Sequence, residues 1–216
     1  MSAQSPIVRR CLVAGLIAWI AGGAAAAEAP PPRTDSPMAS TTATATFAGG
    51  CFWCMEPPFE QLNGVRYVTP GYTGGTKPDP TYEEVCSGTT GHAEAVQVVY
   101  DPATITYEQL LEVFWRNVDP TQSDGQFVDV GSQYRTAIFY HNEAQHRLAL
   151  ESKAQLERSG KFTKPIVTQI VPAEAFYPAE AYHQGYYKKS PFRYQLYRMG
   201  SGRDAYLKKV WGSSSH

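Results

Sequence analysis

The sequence predicts an α+β fold: a single domain with a mixed β-sheet covered by helices, and a cysteine pair at a strand-to-helix turn. Three observations lead there. β-Branched, alternating stretches such as Thr41 to Phe47 read as strands, and apolar runs at helical spacing follow capping signals. Strands alternate with helices, yet Val65 to Tyr100 holds two strands with no clear helix between them, which argues against a strictly parallel doubly wound sheet. Hydrophobic residues make up 43% of the 216-residue chain, enough to build a real core.

The elements follow in order. The strand from Thr41 to Phe47 is closed by Ala48-Gly49-Gly50, and a helix from Cys51 to Leu62 leaves that turn. Pro57 and Pro58 each lack a backbone donor, so this helix is expected as a short first turn, a break and a second piece. Val65 to Tyr72 is a strand ending at Gly74-Gly75. Glu94 to Tyr100 is another, with Val96 and Val98 on one face and Asp101-Pro102 as its stop. Thr106 and Gln109 have capping-box spacing, and Leu110, Leu111, Phe114 and Trp115 follow at helical intervals. Tyr134 to Tyr140 returns to strand character. Asn142 and Gln145 open a helix carrying Leu148, Leu150 and Leu156 that stops at Gly160. Pro165 to Val171 reads as a strand and Pro178 to Tyr187 as a helix.

The first residues stand apart from this domain. Arg9 and Arg10 precede an apolar run from Leu12 to Ile20, which leads into small residues ending at Ala27. That pattern is a secretory signal over residues 1–27, since a cut after Ala29 would leave Pro30 at the new terminus. The apolar run falls short of the roughly 20 residues a spanning helix needs, so a membrane anchor is the second choice. Residues 28–42 are rich in Pro, Ala and Thr and read as a flexible linker, leaving 43–216 as the domain. The expected location is exported and periplasmic, with no membrane in the mature form and a monomer as the default. A net charge of -1 offers no basic field for nucleic acid.

With the signal gone, Cys51, Cys54 and Cys86 remain, an odd number that argues against a purely structural disulfide framework. C-x-x-C at the first turn of a helix puts both thiols on one face, close enough to bond. The helix N-terminus is expected to stabilise a thiolate at Cys51, so that the first cysteine attacks and the second resolves. Three chemistries compete. Zinc could take Cys51, Cys54, Cys86 and His92, but the second half of that set lacks a common zinc spacing. A thioredoxin-like oxidoreductase also begins a helix with C-x-x-C, although bulky Phe52 and Trp53 and the following prolines fit it poorly. The third is a peroxide or sulfoxide reductase working through a sulfenic acid.

Several motifs bear on that choice. They are Gly50-Cys51-Phe52-Trp53, Gly71-Tyr72-Thr73-Gly74-Gly75, the long run from Tyr82 to Val96 (YEEVCSGTTGHAEAV), Asp119-Pro120-Thr121-Gln122 with Asp129 to Phe139, and Phe176 to Gln184. In this order they resemble the peptide methionine sulfoxide reductases of the A type. The resemblance implies reduction of the S epimer of free or protein-bound methionine sulfoxide, with no cofactor and a thioredoxin-like reductant. It implies Cys51 as nucleophile, Glu94 as the acid that protonates the sulfoxide oxygen, and Tyr82 and Tyr134 as donors to that oxygen. Asp129 orients the group or polarises water, and Phe52 and Trp53 form an apolar seat for the methyl group. A thioether against aromatic rings makes that seat physically reasonable. An apolar pocket would raise the pKa of Glu94 enough to keep its proton near neutral pH. Cys86 is expected to be buried and inert, and His92 to make a structural hydrogen bond. Many relatives carry Gly in place of Cys54 and place resolving cysteines near the C-terminus. Here nothing after Cys86 is Cys, so Cys54 is expected to capture the Cys51 sulfenic acid.

Overall fold

The computed structural model describes residues 42–212. The expected signal, nearly all of the linker and the first residue of the Thr41 strand lie outside the described residues.

The chain runs through β1 (Ala43–Gly49), α1 (Phe52–Glu60), β2 (Val65–Thr73), α2 (Tyr82–Cys86), β3 (Ala93–Tyr100) and α3 (Tyr107–Trp115). A small β4–β5 ribbon (Gly125–Gln126 and Asp129–Val130) follows, then a 3₁₀ turn at Ser132–Tyr134, β6 (Thr136–Tyr140) and α4 (Glu143–Arg158). β7 (Gln169–Pro172), β8 (Tyr177–Pro178), α5 (Tyr186–Lys189), α6 (Pro191–Gly200) and α7 (Arg203–Trp211) complete it. Six strands form one sheet in the order β7-β6-β1-β3-β2-β8. Every pairing in it is antiparallel except β6 with β7, so the sheet is mixed, as expected, although the short helix α2 does lie between β2 and β3.

Side-chain alternation builds a different layer on each face. Ala45 and Phe47 of β1, Val96 and Val98 of β3 and Ile138 of β6 belong to the large core under α1, α3 and α4. Phe47 stacks on Phe59 of α1 at 5.1 Å and on Phe114 of α3 at 5.3 Å, which holds both helices against the centre of the sheet. The opposite face carries Ala48, Ala93, Ala95 and Ala137 with Phe139, small enough for the Ala173–Phe176 segment to lie close. Glu94 lies on the large-core face, in step with Val96 and Val98.

Local chemistry explains most boundaries. Thr106 caps α3 in a complete capping box with Gln109. Asn142 caps α4 through the Gln145 N–H, while the Gln145 side chain reaches past the cap to the His141 N–H and to the Thr44 carbonyl. The short helix α2, unread in the sequence, has its own capping box from Thr81 and Glu84.

Five expectations are corrected. The helix after Cys51 has no break: α1 runs through Pro57 and Pro58. The Cys54 carbonyl, which a residue other than Pro58 would have bonded, accepts instead from Arg198 Nη1 at 3.3 Å. Tyr134 ends the 3₁₀ turn, and the strand begins at Thr136. Leu150 points outward, with Ala149 and Leu156 on the inner face of α4. Within Pro165 to Val171 only the end pairs, because the Val167 N–H is committed to the Pro120 carbonyl. Of Pro178 to Tyr187 only Tyr186 and Tyr187 are helical: Pro178 closes β8 and residues 181–185 are turns, since the backbone bonds outward, Ala179 N–H to the Pro70 carbonyl and Gly185 N–H to Glu56 Oε1.

The glycine turn after β2 is a close-packed joint. Gly75 donates to His92 Nδ1 at 3.1 Å, and a Cβ on it would meet the His92 nitrogen at 2.3 Å and the Thr90 carbonyl at 2.5 Å. His92 Nε2 donates to the Lys77 carbonyl, so this histidine is the structural one expected. Gly75→Ala is expected to cost about 3 kcal/mol, by forcing backbone apart two residues before Glu94. Gly200→Ala, with open space around it and a helical backbone, should be neutral to slightly stabilising, by less than about 1 kcal/mol. Urea unfolding midpoints of the two variants at equal m-values check the contrast.

Candidate active site

β1 ends at Gly49, and Gly50 turns the chain with φ +80° into Cys51, the N-cap of α1. A left-handed backbone at Gly50 suits glycine, and a side chain there would also strike Gln126 at 2.5 Å. Cys51 is 5% exposed and Cys54 fully buried, both as free thiols one helical turn apart. The Cys54 N–H donates to the Cys51 carbonyl at 3.0 Å, which closes that turn.

Glu94 reaches this turn from β3. Its Oε2 accepts from the Phe52 N–H at 3.0 Å, and the residue is 1% exposed. Burial pushes its pKa up to about 8, against the opposing Phe52 hydrogen bond, with Asp129 and Cys54 adding smaller upward pushes. Glu94 is therefore largely protonated at neutral pH, as its expected role requires.

The aromatic wall comes from five segments: α1, β2, α2, the 180–186 stretch and α6. Phe52, 1% exposed, lies 5.0 Å from the His183 ring and 6.0 Å from Tyr72. Trp53 is only half-buried, stacks on Tyr186 at 3.8 Å and meets Tyr197 edge-on at 6.0 Å. Its indole N–H donates to His183 Nδ1 at 3.1 Å. Tyr82 begins α2, with its ring 4.4 Å from His183 and its N–H on Glu180 Oε1 at 2.8 Å. Glu180 Oε2 accepts from the Tyr72 hydroxyl at 2.8 Å. Burial raises the pKa of both Tyr82 and Tyr134, and the Glu94 carboxyl raises each further. Both phenols therefore keep their protons and remain donors.

Asp129, in β5, accepts a hydrogen bond from the Tyr197 hydroxyl, and Tyr197 also bonds Cys51. Thus Cys51, Phe52, Trp53, Cys54, Tyr82, Glu94, Asp129 and Tyr134 all converge on one site. His183, Glu180, Tyr197, Arg198 and Arg203 join them without having been assigned a role from the sequence. Glu180 and His183 sat inside a quoted motif. Tyr197, Arg198 and Arg203 carried no sequence signal.

Two expectations about thiols change. Cys86 is half-buried, within hydrogen-bond reach of Tyr82 and Tyr134, and not sunk in the core. The helix terminus does not make Cys51 the resting thiolate. Burial pushes the Cys51 pKa well up, and its hydrogen bond with Cys54 and the Glu94 charge push the same way. The first-turn donors are committed elsewhere: Phe52 N–H to Glu94 and Cys54 N–H to the Cys51 carbonyl. Cys54 is instead lowered to about 7, by its hydrogen bond from Cys51 and by Arg203 and Arg198, with burial opposing. Among the described residues no group of three or more His, Cys, Asp or Glu side chains is placed to hold a metal ion.

Paired buried thiols beside a protonated carboxyl, on a mixed sheet, define a thiol-dependent oxidoreductase. A family model described as peptide methionine sulfoxide reductase matches residues 43–215. The peptide methionine sulfoxide reductase MsrA of Bacillus licheniformis is 58% identical over 175 residues, 81% of this chain and 97% of that protein. MsrA of Bacillus subtilis is 56% identical over 176 residues, 82% of this chain and 99% of its own. Among solved structures, reduced Mxr1 from Saccharomyces cerevisiae aligns with a TM-score of 0.66 at 36% identity, covering 70% of this chain and 87% of that one. Methionine sulfoxide reductase A of Corynebacterium diphtheriae gives 0.63 at 36%, covering 69% and 76%. The chain belongs to the peptide methionine sulfoxide reductase family, MsrA type, and is an enzyme of that class.

A raised Glu94 pKa carries a stability cost with a definite sign. The folded state keeps a proton that the unfolded chain releases between about pH 4.5 and about pH 8, so stability falls as pH rises through that window. Glu94→Gln retains an acceptor for the Phe52 N–H and has no charge to desolvate. Its stability should match the wild type near pH 4 and exceed it at pH 8 by on the order of a few kcal/mol. Urea unfolding at both pH values measures this. A wild type that gains on the variant with rising pH would show Glu94 to be ionised.

Proposed function

We propose that this enzyme reduces the S epimer of methionine sulfoxide, free or in oxidised proteins, through a sulfenic acid on Cys51 that Cys54 converts to a disulfide. The observation that supports it most is the buried Glu94 carboxyl, held on the Phe52 N–H and keeping its proton beside the Cys51–Cys54 turn.

The reaction needs a sulfur nucleophile, a proton for the oxygen and an apolar seat for the methyl group. Trp53, stacked on Tyr186 and pinned through its N–H to His183, supplies the open wall of that seat, with Phe52 behind it. Cys51 Sγ attacks the sulfoxide sulfur while Glu94 gives its proton to the oxygen. Tyr82 and Tyr134 donate hydrogen bonds to that oxygen as negative charge develops on it. Oxygen passes to Cys51, the thioether leaves as methionine, and Cys51 is left as S–OH. Cys54 sulfur then attacks Cys51 Sγ, an S–S bond forms, the S–O bond breaks and water departs. A thioredoxin-like dithiol returns the pair to the reduced state by exchange. The basic and apolar N-terminal pattern of residues 1–27 supports action on exported proteins, with an exported donor as partner.

Cys54→Ser should form one equivalent of methionine per enzyme and then stall with a thioredoxin as reductant, while the wild type loses two thiols in its first turnover and continues. Full multiple turnover of Cys54→Ser with that protein reductant would remove Cys54 as the resolving thiol.

A further inference from the structure

Glu56 is a buried carboxyl with no part in the reaction steps. It lies on α1 one turn after Trp53, at 3% exposure, on the helix that carries Cys54. Its Oε1 accepts from the Gly185 N–H at 3.0 Å, and its Oε2 is buried with no partner. Lys188 and Lys189 of α5 are near, but Lys188 bonds Glu60 and Lys189 bonds the Ala181 carbonyl. Burial pushes the Glu56 pKa up to about 7, with the Gly185 hydrogen bond opposing. A carboxyl this far out of water, on one neutral donor, destabilises the fold relative to an apolar side chain.

The turn that Glu56 holds leads straight to the substrate seat. Gly185 bends the chain at φ +61° into Tyr186, the first residue of α5. The Tyr186 ring stacks on the Trp53 indole, with centroids 3.8 Å apart and planes 10° apart. Trp53 and Glu56, three residues apart, share one face of α1. The contacts therefore close a ring, from Trp53 along the helix to Glu56, across to Gly185, on to Tyr186 and back to Trp53. A second tether enters the same turn: the Trp53 indole N–H donates to His183 Nδ1, and the His183 carbonyl accepts from the Tyr186 N–H at 3.3 Å. Glu60, one helical turn beyond Glu56, grips the outer part of α5 through the Tyr187 hydroxyl and Lys188. Glu56 bonds the backbone immediately before the stacked ring.

We propose that Glu56 is a positioning residue for the methyl seat: by holding Gly185 it fixes the Tyr186 ring against Trp53 and sets where the open wall stands. It touches no reacting atom and acts through Tyr186. This role rests on the reading of Trp53 as that wall.

Single-turnover methionine formation by the reduced enzyme, over a range of methionine S-sulfoxide concentrations, reads the seat without any reductant. Glu56→Met fills similar space and removes the acceptor for the Gly185 N–H. Its half-saturating concentration should rise about three- to tenfold, with the limiting rate within about twofold of the wild type. Glu56→Gln, which keeps a carbonyl for Gly185, should restore the wild-type value. A merely structural role would lower the urea midpoint of Glu56→Met and leave half-saturation where it was. Tyr186→Leu should raise half-saturation by a similar factor. Adding Glu56→Met to Tyr186→Leu should raise it no further, because the two residues act in series. Should Glu56→Met fail to fold, Glu56→Asp, one methylene too short to reach Gly185 with the turn in place, carries the same tests. Unmoved half-saturation in the folded Met variant or in the Asp variant overturns the assignment. Additive effects in the double variant, or a Gln variant that behaves like Met, overturn it as well. Unchanged half-saturation in Trp53→Leu would instead overturn the seat reading beneath it, so the two failures are distinguishable.

Discussion

The hydrogen bond from the Phe52 N–H to Glu94 joins the start of α1 to β3, and the protonation states of the site depend on it. A buried carboxylate would need two or three donors to hold its charge, and this one has a single backbone N–H. Desolvation therefore wins, and Glu94 keeps its proton to about pH 8. The same bond draws a first-turn donor of α1 away from Cys51. Burial leaves both the acid and the nucleophile protonated at rest, against the pull of this one donor on Glu94.

That bond forms because the sheet brings its two ends together. β1 and β3 are antiparallel, with Phe47 opposite Val96, so the end of β1 that leads to Cys51 lies beside the start of β3 that carries Glu94. Phe47, Phe59 and Phe114 stack beneath this junction and fix α1 and α3 on the sheet. Truncating an aromatic of this kind costs about 3–5 kcal/mol, more than any single polar contact in the site contributes. Packing sets the geometry, and the polar groups use it.

The central fold was legible because its signals are local. The capping box at Thr106, the N-cap at Asn142, β-branched strands and glycine turns place elements with little help from distant residues. Cys51 to Cys54, Tyr82, Glu94, Asp129 and Tyr134 were legible through motifs, and they do meet in one place. What failed to show depends on tertiary contacts. The stretch from Pro178 to Tyr187 has a helical composition, but its N–H groups bond Pro70 and Glu56 from other elements. α6 keeps Phe192, Leu196 and Met199 outside and turns Tyr197 and Arg198 inward, so hydrophobic periodicity gives no warning of its role. Arg203 reads as one more charged residue in a polar tail, and only its burial reveals otherwise.

The position of the second thiol explains why that tail can be so firmly placed. A resolving cysteine near the C-terminus has to travel to Cys51, so the segment bearing it cannot also hold the site rigid. With both thiols one turn apart on α1, the C-terminal helices are free to stay docked and supply electrostatics instead. Tyr197 on Asp129, Arg198 on Cys54 and Arg203 on Gly49 and Asn117 are those docking points. Burying a guanidinium costs several kcal/mol unless carbonyls and an anion answer it, and a loose tail could not keep those partners aligned. The C-x-x-C spacing and the docked C-terminal helices are in this sense one solution: two thiols already one turn apart need no moving tail to bring them together.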